Sequence, residues 1–197
     1  SMTRSEAAAI FARLLAEKNG DTISTAANTK FADIPAHAWY SGYVKYLSNN
    51  GITYGKSKTI FAPNDAITRA EFTTMAVRFF DVYGDGDAEI MEQYKDFNDV
   101  SDGYWAAAYI KAAAKHGWIN GYGDGSFHAD REINRAEVVT IVNRLLGREA
   151  DEDYIADNLR KLNTFPDVSR KHWAYYAVME AANAHTAVLG ENESWSK

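Results

Sequence analysis

Cysteine is absent from the 197 residues, so the chain can form neither a disulfide bond nor a thiolate metal site. No apolar run approaches the roughly 20 residues that a membrane-spanning helix needs. Positive charge is also scarce, because 21 basic residues stand against 27 acidic ones and the net charge is −6. A nucleic-acid-binding protein needs a basic surface. The balance therefore argues against nucleic acid as a partner, but it does not exclude a small anionic ligand held by a few arginines.

Sequence motifs of the common enzyme classes are missing as well. No His-Glu-x-x-His, Gly-x-Ser-x-Gly or phosphate-loop pattern occurs. Of the five histidines, only His37 and His172 fall near matching positions of a repeat, where solvation of a helix start is the favoured interpretation. We therefore expect no catalytic residue and no cofactor. Part of a cell-wall glycan hydrolase stays an alternative, because three recurring aspartates resemble glycosidase carboxylates.

An acidic stretch at residues 84–89 has some likeness to a calcium-binding loop. Asp85, Asp87 and Glu89 alternate as calcium ligands do, but Ile90 stands where such a loop needs glycine, and no glutamate follows at the twelfth position. A solvated linker is the favoured interpretation, and we expect no metal site.

The chain does contain an internal repeat, which decides the architecture. A motif of the type Thr-Arg-Ala-Glu occurs at residues 3–6, 68–71 and 134–137. A threonine or asparagine placed three residues before a glutamate forms a capping box, which satisfies free N–H groups at a helix start. Apolar residues at i, i+3, i+4 and i+7 follow each copy and indicate one buried helix face. Each motif therefore predicts the beginning of a helix.

The capping box does not explain the arginine at the first helical position, which is Arg4, Arg69 or Arg135. A cation is mildly unfavourable there, because the helix dipole is already positive at that end. Two interpretations stay open: the arginine pairs with a nearby carboxylate for structure, or it completes an anion site with the helix N-terminus. Three more arginines follow nine residues later, on the opposite side of each helix, and are expected to be structural: Arg13, Arg78 and Arg144.

A second block also recurs three times, in the form Phe-x-Asp followed by tryptophan six residues after the aspartate. Its copies are Phe31, Asp33 and Trp39; Phe97, Asp99 and Trp105; and Phe165, Asp167 and Trp173. A helical pattern follows each tryptophan. Gly51 and Gly117 come twelve residues after the first two tryptophans, where glycine can take the left-handed helix cap. Residues 121–127, Gly-Tyr-Gly-Asp-Gly-Ser-Phe, then predict a tight turn and a short extended segment.

These blocks divide the chain into four parts. Residues 1–30 hold the second half of a first repeat, 31–96 a repeat and its linker, 97–164 a repeat with a linker helix near 149–162, and 165–197 the first half of a divergent repeat and a tail. His185 stands where the closing glycine is expected, and no Gly-rich turn or capping box follows it. The chain thus begins within a repeat, without the pattern of a signal peptide, and we expect it to be a piece of a longer protein.

The ordered set of motifs resembles the S-layer homology (SLH) family. Phe-x-Asp-Val, the tryptophan, Gly-Tyr-Gly-Asp-Gly-Ser-Phe and Ile-Thr-Arg-Ala-Glu at 67–71 carry the likeness. The resemblance implies a mainly α fold of three tandem helix-pair repeats, arranged as a pseudo-threefold, three-pronged spindle around a central helical bundle. It also implies an extracellular module at the bacterial cell surface that binds secondary cell-wall polysaccharide, often pyruvylated, in grooves between repeats, with the motif arginine involved.

The residue chemistry agrees with that role. A guanidinium can hold the carboxylate of a pyruvate ketal with two hydrogen bonds. The tryptophans could stack on sugar rings and the aspartates could accept from hydroxyls. However, a tryptophan at the head of an amphipathic helix is more often part of the core, and an aspartate before a helix often forms a cap or turn. Both structural interpretations are favoured.

Three groupings of candidate ligand-binding residues follow from the order of the motifs. They are Arg4 with Asp33 and Trp39; Arg69 with Asp99 and Trp105; and Arg135 with Asp167 and Trp173. The turn residues Gly121 and Tyr122 are further candidates for ligand binding. The middle grouping is expected to bind most strongly, because it alone has complete units on both sides. The expected partner is an anionic polysaccharide attached to peptidoglycan, with no nucleic acid and no membrane insertion, and the chain is expected to be a monomer. A structural or protein-interaction array is the other alternative.

Overall fold

The computed structural model describes residues 1–84, 96–188 and 194–196. The acidic linker that was compared with a calcium loop continues into residues 85–95, which lie outside the described residues. The chain separates into two compact units, a first unit of Ser1–Ile133 and a second unit of Asn134–Lys197.

The described residues are mainly helical, which confirms the predicted fold class. The α-helices are α1 (Arg4–Asn19), α2 (Ser41–Asn49), α3 (Arg69–Tyr83), α4 (Ala107–Lys115), α5 (Arg135–Leu145), α6 (Glu152–Asn158) and α7 (Tyr175–Ala182). A 3₁₀ turn at Leu159–Lys161 follows α6, and the predicted linker helix is therefore present. The strands β1 (Thr186–Val188) and β2 (Ser194–Ser196) form an antiparallel hairpin that the sequence did not predict.

All three capping boxes are formed. In α3, the backbone N–H of Glu71 donates to Thr68 Oγ1 at 3.2 Å, and the Glu71 carboxylate accepts from the Thr68 N–H at 3.0 Å. The same reciprocal pair begins α1 and α5. After α2 and α4, Gly51 and Gly117 have φ angles of 72° and 69°, so they take the predicted left-handed cap.

Each capping-box helix packs against the helix that follows the next tryptophan. The pairs are α1 with α2, α3 with α4, and α5 with α7. Arg13 Nε donates to Tyr43 Oη at 3.3 Å in the first pair, and Arg78 makes the equivalent bond in the second. The third pair has Ala177 in place of that tyrosine, and Asn143 Nδ2 donates to the Ala177 carbonyl instead, at 2.9 Å. The structural interpretation of Arg13 and Arg78 is therefore confirmed.

In the first unit, α1 and α3 lie against each other through aromatic side chains. The Phe11 ring centroid is 5.2 Å from that of Phe72 and 5.1 Å from that of Phe79, and all three side chains are buried. Two capping-box helices thus share a core. The third, α5, belongs to the second unit, and the pseudo-threefold spindle stays a prediction.

The second unit has a core of its own, built from α6, α7 and the hairpin. Ile155, Tyr175, Met179 and Trp195 are its buried members. Trp195 comes from β2, and its backbone N–H donates to the Asp151 carboxylate at 3.0 Å. Its ring stacks on His185 with a centroid distance of 3.9 Å. The residue that replaces the closing glycine of the repeat therefore helps to fasten the hairpin.

Candidate functional site

The first grouping of predicted site residues converges on the segment that follows the Gly turn. Arg4 Nε donates to the Phe61 carbonyl at 2.7 Å. The Asp33 carboxylate accepts from the N–H of Phe61 at 2.9 Å and from that of Ala62 at 2.6 Å. The arginine and the aspartate thus hold the two sides of one residue, Phe61. Trp39 precedes α2 in the same repeat, and its side chain is exposed.

The second grouping repeats this geometry. Arg69 Nε donates to the Phe127 carbonyl at 2.8 Å, and the Asp99 carboxylate accepts from the N–H groups of Phe127 and His128, both at 2.7 Å. Burial alone would raise the pKa of Asp99, but the backbone hydrogen bonds together outweigh it and lower that pKa. The aspartates therefore fix the turn segment, as the structural interpretation predicted.

The arginines of these two groupings are almost fully buried. Arg4 and Arg69 are each 4% exposed. Arg4 Nη1 lies 2.9 Å from Glu71 Oε1, so the carboxylate of the next capping box is its ion-pair partner. The Arg69 guanidinium carbon lies 4.4 Å from the Phe127 ring centroid. The guanidinium groups thus offer a ligand little surface. Their hydrogen bond to a backbone carbonyl is a role that the sequence did not indicate.

The three repeat tryptophans lie at the surface. Trp39, Trp105 and Trp173 are 55%, 57% and 64% exposed. The interpretation that favoured the core for them is therefore wrong. The apolar positions of the following helices face inward instead, as Val44 and Ile110 do, because the tryptophan precedes the first turn of the helix. Three large indole rings at equivalent positions face solvent.

Phe61 and Phe127 are the central phenylalanines of the two turn segments, and the residue after each has a strained backbone. Ala62 and His128 have φ angles of 59° and 55°, in the left-handed region that non-glycine residues rarely adopt. The hydrogen bonds from these residues to Asp33 and Asp99 hold that conformation. Strain of this kind, repeated at equivalent positions, is typical of functional segments.

A cavity of about 490 Å³ opens beside Asp99 in the first unit. Its lining residues are Asp99, Tyr104, His128, Ala129, Asp130 and Arg131. Tyr104 Oη donates to Asp130 Oδ1 at 2.6 Å, and burial together with this carboxylate raises the pKa of Tyr104 to about 12. The ring of Trp105 lies 5.8 Å from that of Tyr104. The cavity therefore combines aromatic rings, the carboxylates of Asp99 and Asp130, and the guanidinium of Arg131.

The predicted turn residues Gly121 and Tyr122 form the neighbouring edge. Tyr122 is 37% exposed, its ring lies 4.8 Å from that of His128, and the Arg131 guanidinium carbon lies 5.2 Å from its centroid. His128, Arg131 and other lining residues were not predicted from the sequence. The residue types at these positions differ between the two complete repeats, so a comparison of the repeats gave no signal. Tyr104, His128, Asp130 and Arg131 correspond to Ala38, Ala62, Asn64 and Asp65.

The third grouping is arranged differently. Arg135 and Asp167 are exposed, and neither side chain makes a hydrogen bond among the residues that the structure describes. In the first two groupings these bonds go to the segment around Phe61 or Phe127. The described residues after Trp173 form α7 and the hairpin, with no equivalent of that segment. Among the described residues, no helix is long and apolar enough to span a membrane, and no three potential metal ligands lie together.

Comparison with known proteins assigns the repeats. The S-layer homology domain family matches residues 30–73 and 96–139. The chain contains S-layer homology repeats. Each match begins one residue before a complete unit expected from the sequence, at residues 31 and 97, and covers the first part of that unit. The SLH resemblance is thereby confirmed, and the domain boundaries stay a prediction.

The SLH repeats are shared with several surface proteins. The chain is 31% identical to a cellulosome-anchoring protein of Acetivibrio thermocellus over 98% of its length, which is 41% of that protein. It is 31% identical to cell surface glycoprotein 1 of the same organism, again over 98% of the chain but 8% of the relative. A surface-layer 125 kDa protein of Lysinibacillus sphaericus is 31% identical over 74% of the chain and 12% of its own length. The chain therefore spans less than half of these relatives.

Proposed function

We propose that the chain is a non-covalent anchoring module of the bacterial cell surface and that it binds secondary cell-wall polysaccharide. The SLH repeats and the similarity to anchoring and surface-layer proteins support the cell-surface role. The anchored partner would be an anionic, carboxylate-bearing glycan linked to peptidoglycan. The module acts outside the cell as a monomer.

The observation that carries this proposal is the exposure of tryptophan at three equivalent positions. An indole ring that faces solvent offers an apolar platform with a polar edge, and such rings are enriched where proteins bind partners. A sugar has apolar ring faces and a rim of hydroxyl groups, so it matches an exposed tryptophan in a repeat that also carries an aspartate. Trp39 with Asp33 and Trp105 with Asp99 are the two groupings in which the turn segment is in place.

The groove beside Trp105 is the best candidate for an acidic sugar. Asp99 and Asp130 would accept from hydroxyl groups, while the Arg131 guanidinium would bind a carboxylate with two hydrogen bonds. Arg69 holds the Phe127 carbonyl, and its guanidinium carbon lies 5.2 Å from the Tyr122 ring centroid. We therefore propose that Arg4 and Arg69 position their grooves.

Some of the similar proteins are enzymes, but the repeats that they share with this chain need not be catalytic. An amylopullulanase of Thermoanaerobacterium thermosulfurigenes is 31% identical over 77% of the chain, which is only 8% of that enzyme. The shared region is thus a small part of a large protein, and we propose that it has no catalytic role there or here.

Co-sedimentation with purified cell-wall sacculi tests the function. The chain should pellet with intact sacculi and stay in solution after the secondary polysaccharide has been stripped. A variant with Trp105→Ala and Trp39→Ala should lose pelleting, while Val82→Ala, an exposed apolar control on α3, should not. Equal pelleting before and after stripping would contradict polysaccharide binding. Release of glycan fragments would favour the hydrolase, and binding only to a surface protein would favour the interaction array.

A further inference from the structure

We propose that His128 is a specificity-determining residue of the groove beside Trp105, and that its protonation controls how tightly this groove binds a carboxylate-bearing sugar. This pH dependence rests on the proposed function and adds a regulated step to it. An imidazole gains its positive charge as the pH falls through the range of about 8 to 5, so binding of an anionic glycan should strengthen in that range. The other complete repeat has Ala62 at this position, and that side chain cannot change its charge.

His128 lies in the wall of the cavity, directly after the central Phe127. Its side chain is 47% exposed and lines the cavity together with Asp99 and Arg131, so a ligand can approach the ring. Its backbone N–H donates to the Asp99 carboxylate at 2.7 Å, in the conformation with a φ of 55°. The backbone that carries the imidazole is therefore held against this carboxylate.

The hydrogen bonds around the ring determine where a neutral His128 carries its proton. Ser126 Oγ donates to Asp124 Oδ1 at 2.6 Å, because an ionised carboxylate can only accept. A hydroxyl group has one proton, so His128 Nε2, which lies 3.0 Å from Ser126 Oγ, has to donate to that oxygen. Neutral His128 therefore carries its proton on Nε2 and has a lone pair on Nδ1.

Protonation adds the second proton at Nδ1, where a carboxylate faces it. The distance from His128 Nδ1 to Asp99 Oδ2 is 3.7 Å. In the neutral ring, lone pairs of these two atoms face each other. In the charged ring, an N–H group faces the carboxylate, which is the favourable arrangement. The imidazole can therefore take up its proton where it stands, without turning over.

This proton changes the charge balance of the cavity. The ionisable lining residues are Asp99, Tyr104, His128, Asp130 and Arg131. While the imidazole is neutral, two carboxylates face one guanidinium in this lining, and the negative excess disfavours an anionic ligand. Once the imidazole is charged, the lining is neutral. Two further charges of opposite sign lie close by, namely Asp124 beside Ser126 and Arg69 beside Tyr122.

The other groups that titrate near the ring keep their charge between pH 8 and pH 5.5. Burial would raise the pKa of Asp99, but its backbone hydrogen bonds outweigh this effect and lower it. The hydrogen bonds from Ser126 lower the pKa of Asp124, and the pKa of Tyr104 is about 12. A change of anion binding within this range is therefore expected to come from His128.

The added charge would lie beside the guanidinium that is proposed to bind the sugar carboxylate. The His128 ring centroid lies 4.8 Å from that of Tyr122, and the Arg131 guanidinium carbon lies 5.2 Å from the same Tyr122 centroid. Both cationic groups are thus neighbours of one aromatic ring. A carboxylate held by Arg131 would lie near the imidazole, within the range over which charges at a protein surface interact.

Two substitutions of His128 separate its charge from its effect on the fold. Ala62 has the same left-handed backbone, with a φ of 59°, and donates the same hydrogen bond to Asp33. His128→Ala should therefore fold normally, but it lacks the charge at every pH. His128→Lys carries a charge at both pH 5.5 and pH 8. The matched control is His37→Ala, at an exposed position of the other complete repeat.

Titration calorimetry with the soluble polysaccharide detached from purified sacculi tests the role of His128. A Trp39→Ala background restricts the measurement to the groove beside Trp105. This background should bind about fivefold more tightly at pH 5.5 than at pH 8, and so should its His37→Ala variant. His128→Ala should bind equally weakly at both pH values, and His128→Lys equally tightly. Polysaccharide whose carboxylates have been reduced to alcohols should show no pH effect.

The possible results separate this inference from the proposed function. Equal affinity of the background at both pH values would overturn the role of His128 and leave polysaccharide binding in place. A pH effect that persists in His128→Ala, or with the carboxyl-reduced polysaccharide, would do the same. If the chain with Trp39 and Trp105 intact bound no polysaccharide at either pH, the proposed function itself would be contradicted, and this inference with it.

Discussion

The arginine at the start of α1 makes contacts that offset the unfavourable position of its charge. A cation at the first helical position opposes the helix dipole. Arg4 offsets this cost because its guanidinium binds the Phe61 carbonyl and the Glu71 carboxylate, both away from its own helix. The capping-box glutamate of α3 therefore serves two helices: it caps α3, and it neutralises the arginine of α1.

This arrangement predicts very different effects for equivalent arginines. Arg4→Ala removes one partner of a buried ion pair and leaves the Phe61 carbonyl without its donor, so the free energy of unfolding should fall by about 3 kcal/mol. Arg135→Ala, at an exposed position, should change it by less than about 0.5 kcal/mol. Chemical denaturation of both variants measures the difference. Equal losses would mean that burial does not distinguish the two arginines.

The Asp99 carboxylate predicts a pH dependence with a defined sign. Its pKa is lower in the folded state, so the folded state binds fewer protons and gains stability as the pH rises. The contribution is complete above the ordinary aspartate pKa of about 4 and is lost as the pH falls through the lower folded value. Asp99→Asn should therefore cost about 1.5 kcal/mol at pH 7, and less as the medium becomes more acidic.

Thermal unfolding of wild type and Asp99→Asn between pH 7 and pH 3 measures this effect. Asp102→Asn, at an exposed position of the same turn, is the control and should follow the wild-type curve. A stability difference between wild type and Asp99→Asn that stays constant across this range would show that the charge of Asp99 is not what holds Phe127.

At the scale of the element, the capping boxes and the helix pairs were predictable because both depend on local spacing. A Thr-x-x-Glu motif satisfies its own backbone groups, and an apolar stripe needs only some partner. The exposure of Trp39 and the burial of Arg69 were not predictable. Both depend on where the segment around Phe61 or Phe127 lies. The hydrogen bonds that hold this segment join residues 28 or 58 positions apart in the sequence.

The hairpin of the second unit could not be predicted either. Its strands are three residues long, and what fixes them is Trp195, which packs on His185 and bonds to Asp151. Such contacts leave no periodic pattern in the sequence. The exposed state of Arg135 has the same kind of cause, because the motif is complete and only the segment that it would hold is missing from the described part of its unit.

The cap of α3 gives a direct test of the element-scale argument. Thr68→Ala removes the acceptor for the Glu71 N–H and should lower the free energy of unfolding by about 1 kcal/mol. Thr22→Ala, at an exposed position outside any helix, should leave it unchanged. Urea denaturation with an unchanged m-value would assign the loss to the native state. A loss below about 0.3 kcal/mol would mean that packing, and not the cap, determines where α3 begins.

At the scale of the whole molecule, the two complete repeats share the contacts that hold the turn segment but differ in the side chains around it. The same Arg-Phe-Asp arrangement holds the turn segments of both complete repeats. One turn then places Lys56 against Asp65 at 2.8 Å, and the other places Arg131 over Tyr122. The shared arrangement keeps the turn segment in place in both repeats. If the grooves bind sugars as proposed, the side chains that differ would give each groove its own specificity.

Multivalency is the whole-molecule consequence of the proposed function. If the grooves at Trp39 and Trp105 both bind one wall polymer, their combined avidity should exceed either single affinity by about a hundredfold or more. Either Trp39→Ala or Trp105→Ala should then weaken binding to sacculi by that factor. The same single substitutions should only reduce the number of bound molecules when the ligand is a short glycan, as measured by titration calorimetry.

Trp173 supplies the internal control for this prediction. Its side chain is the most exposed of the three, but Arg135 and Asp167 beside it in the motif hold no turn segment among the described residues. Exposure of an indole ring alone would make Trp173→Ala as harmful as Trp105→Ala. A groove that needs the turn segment as its wall would leave sacculus binding by Trp173→Ala at the wild-type level. Comparing these two variants therefore separates the aromatic platform from the complete groove as the unit that binds the wall.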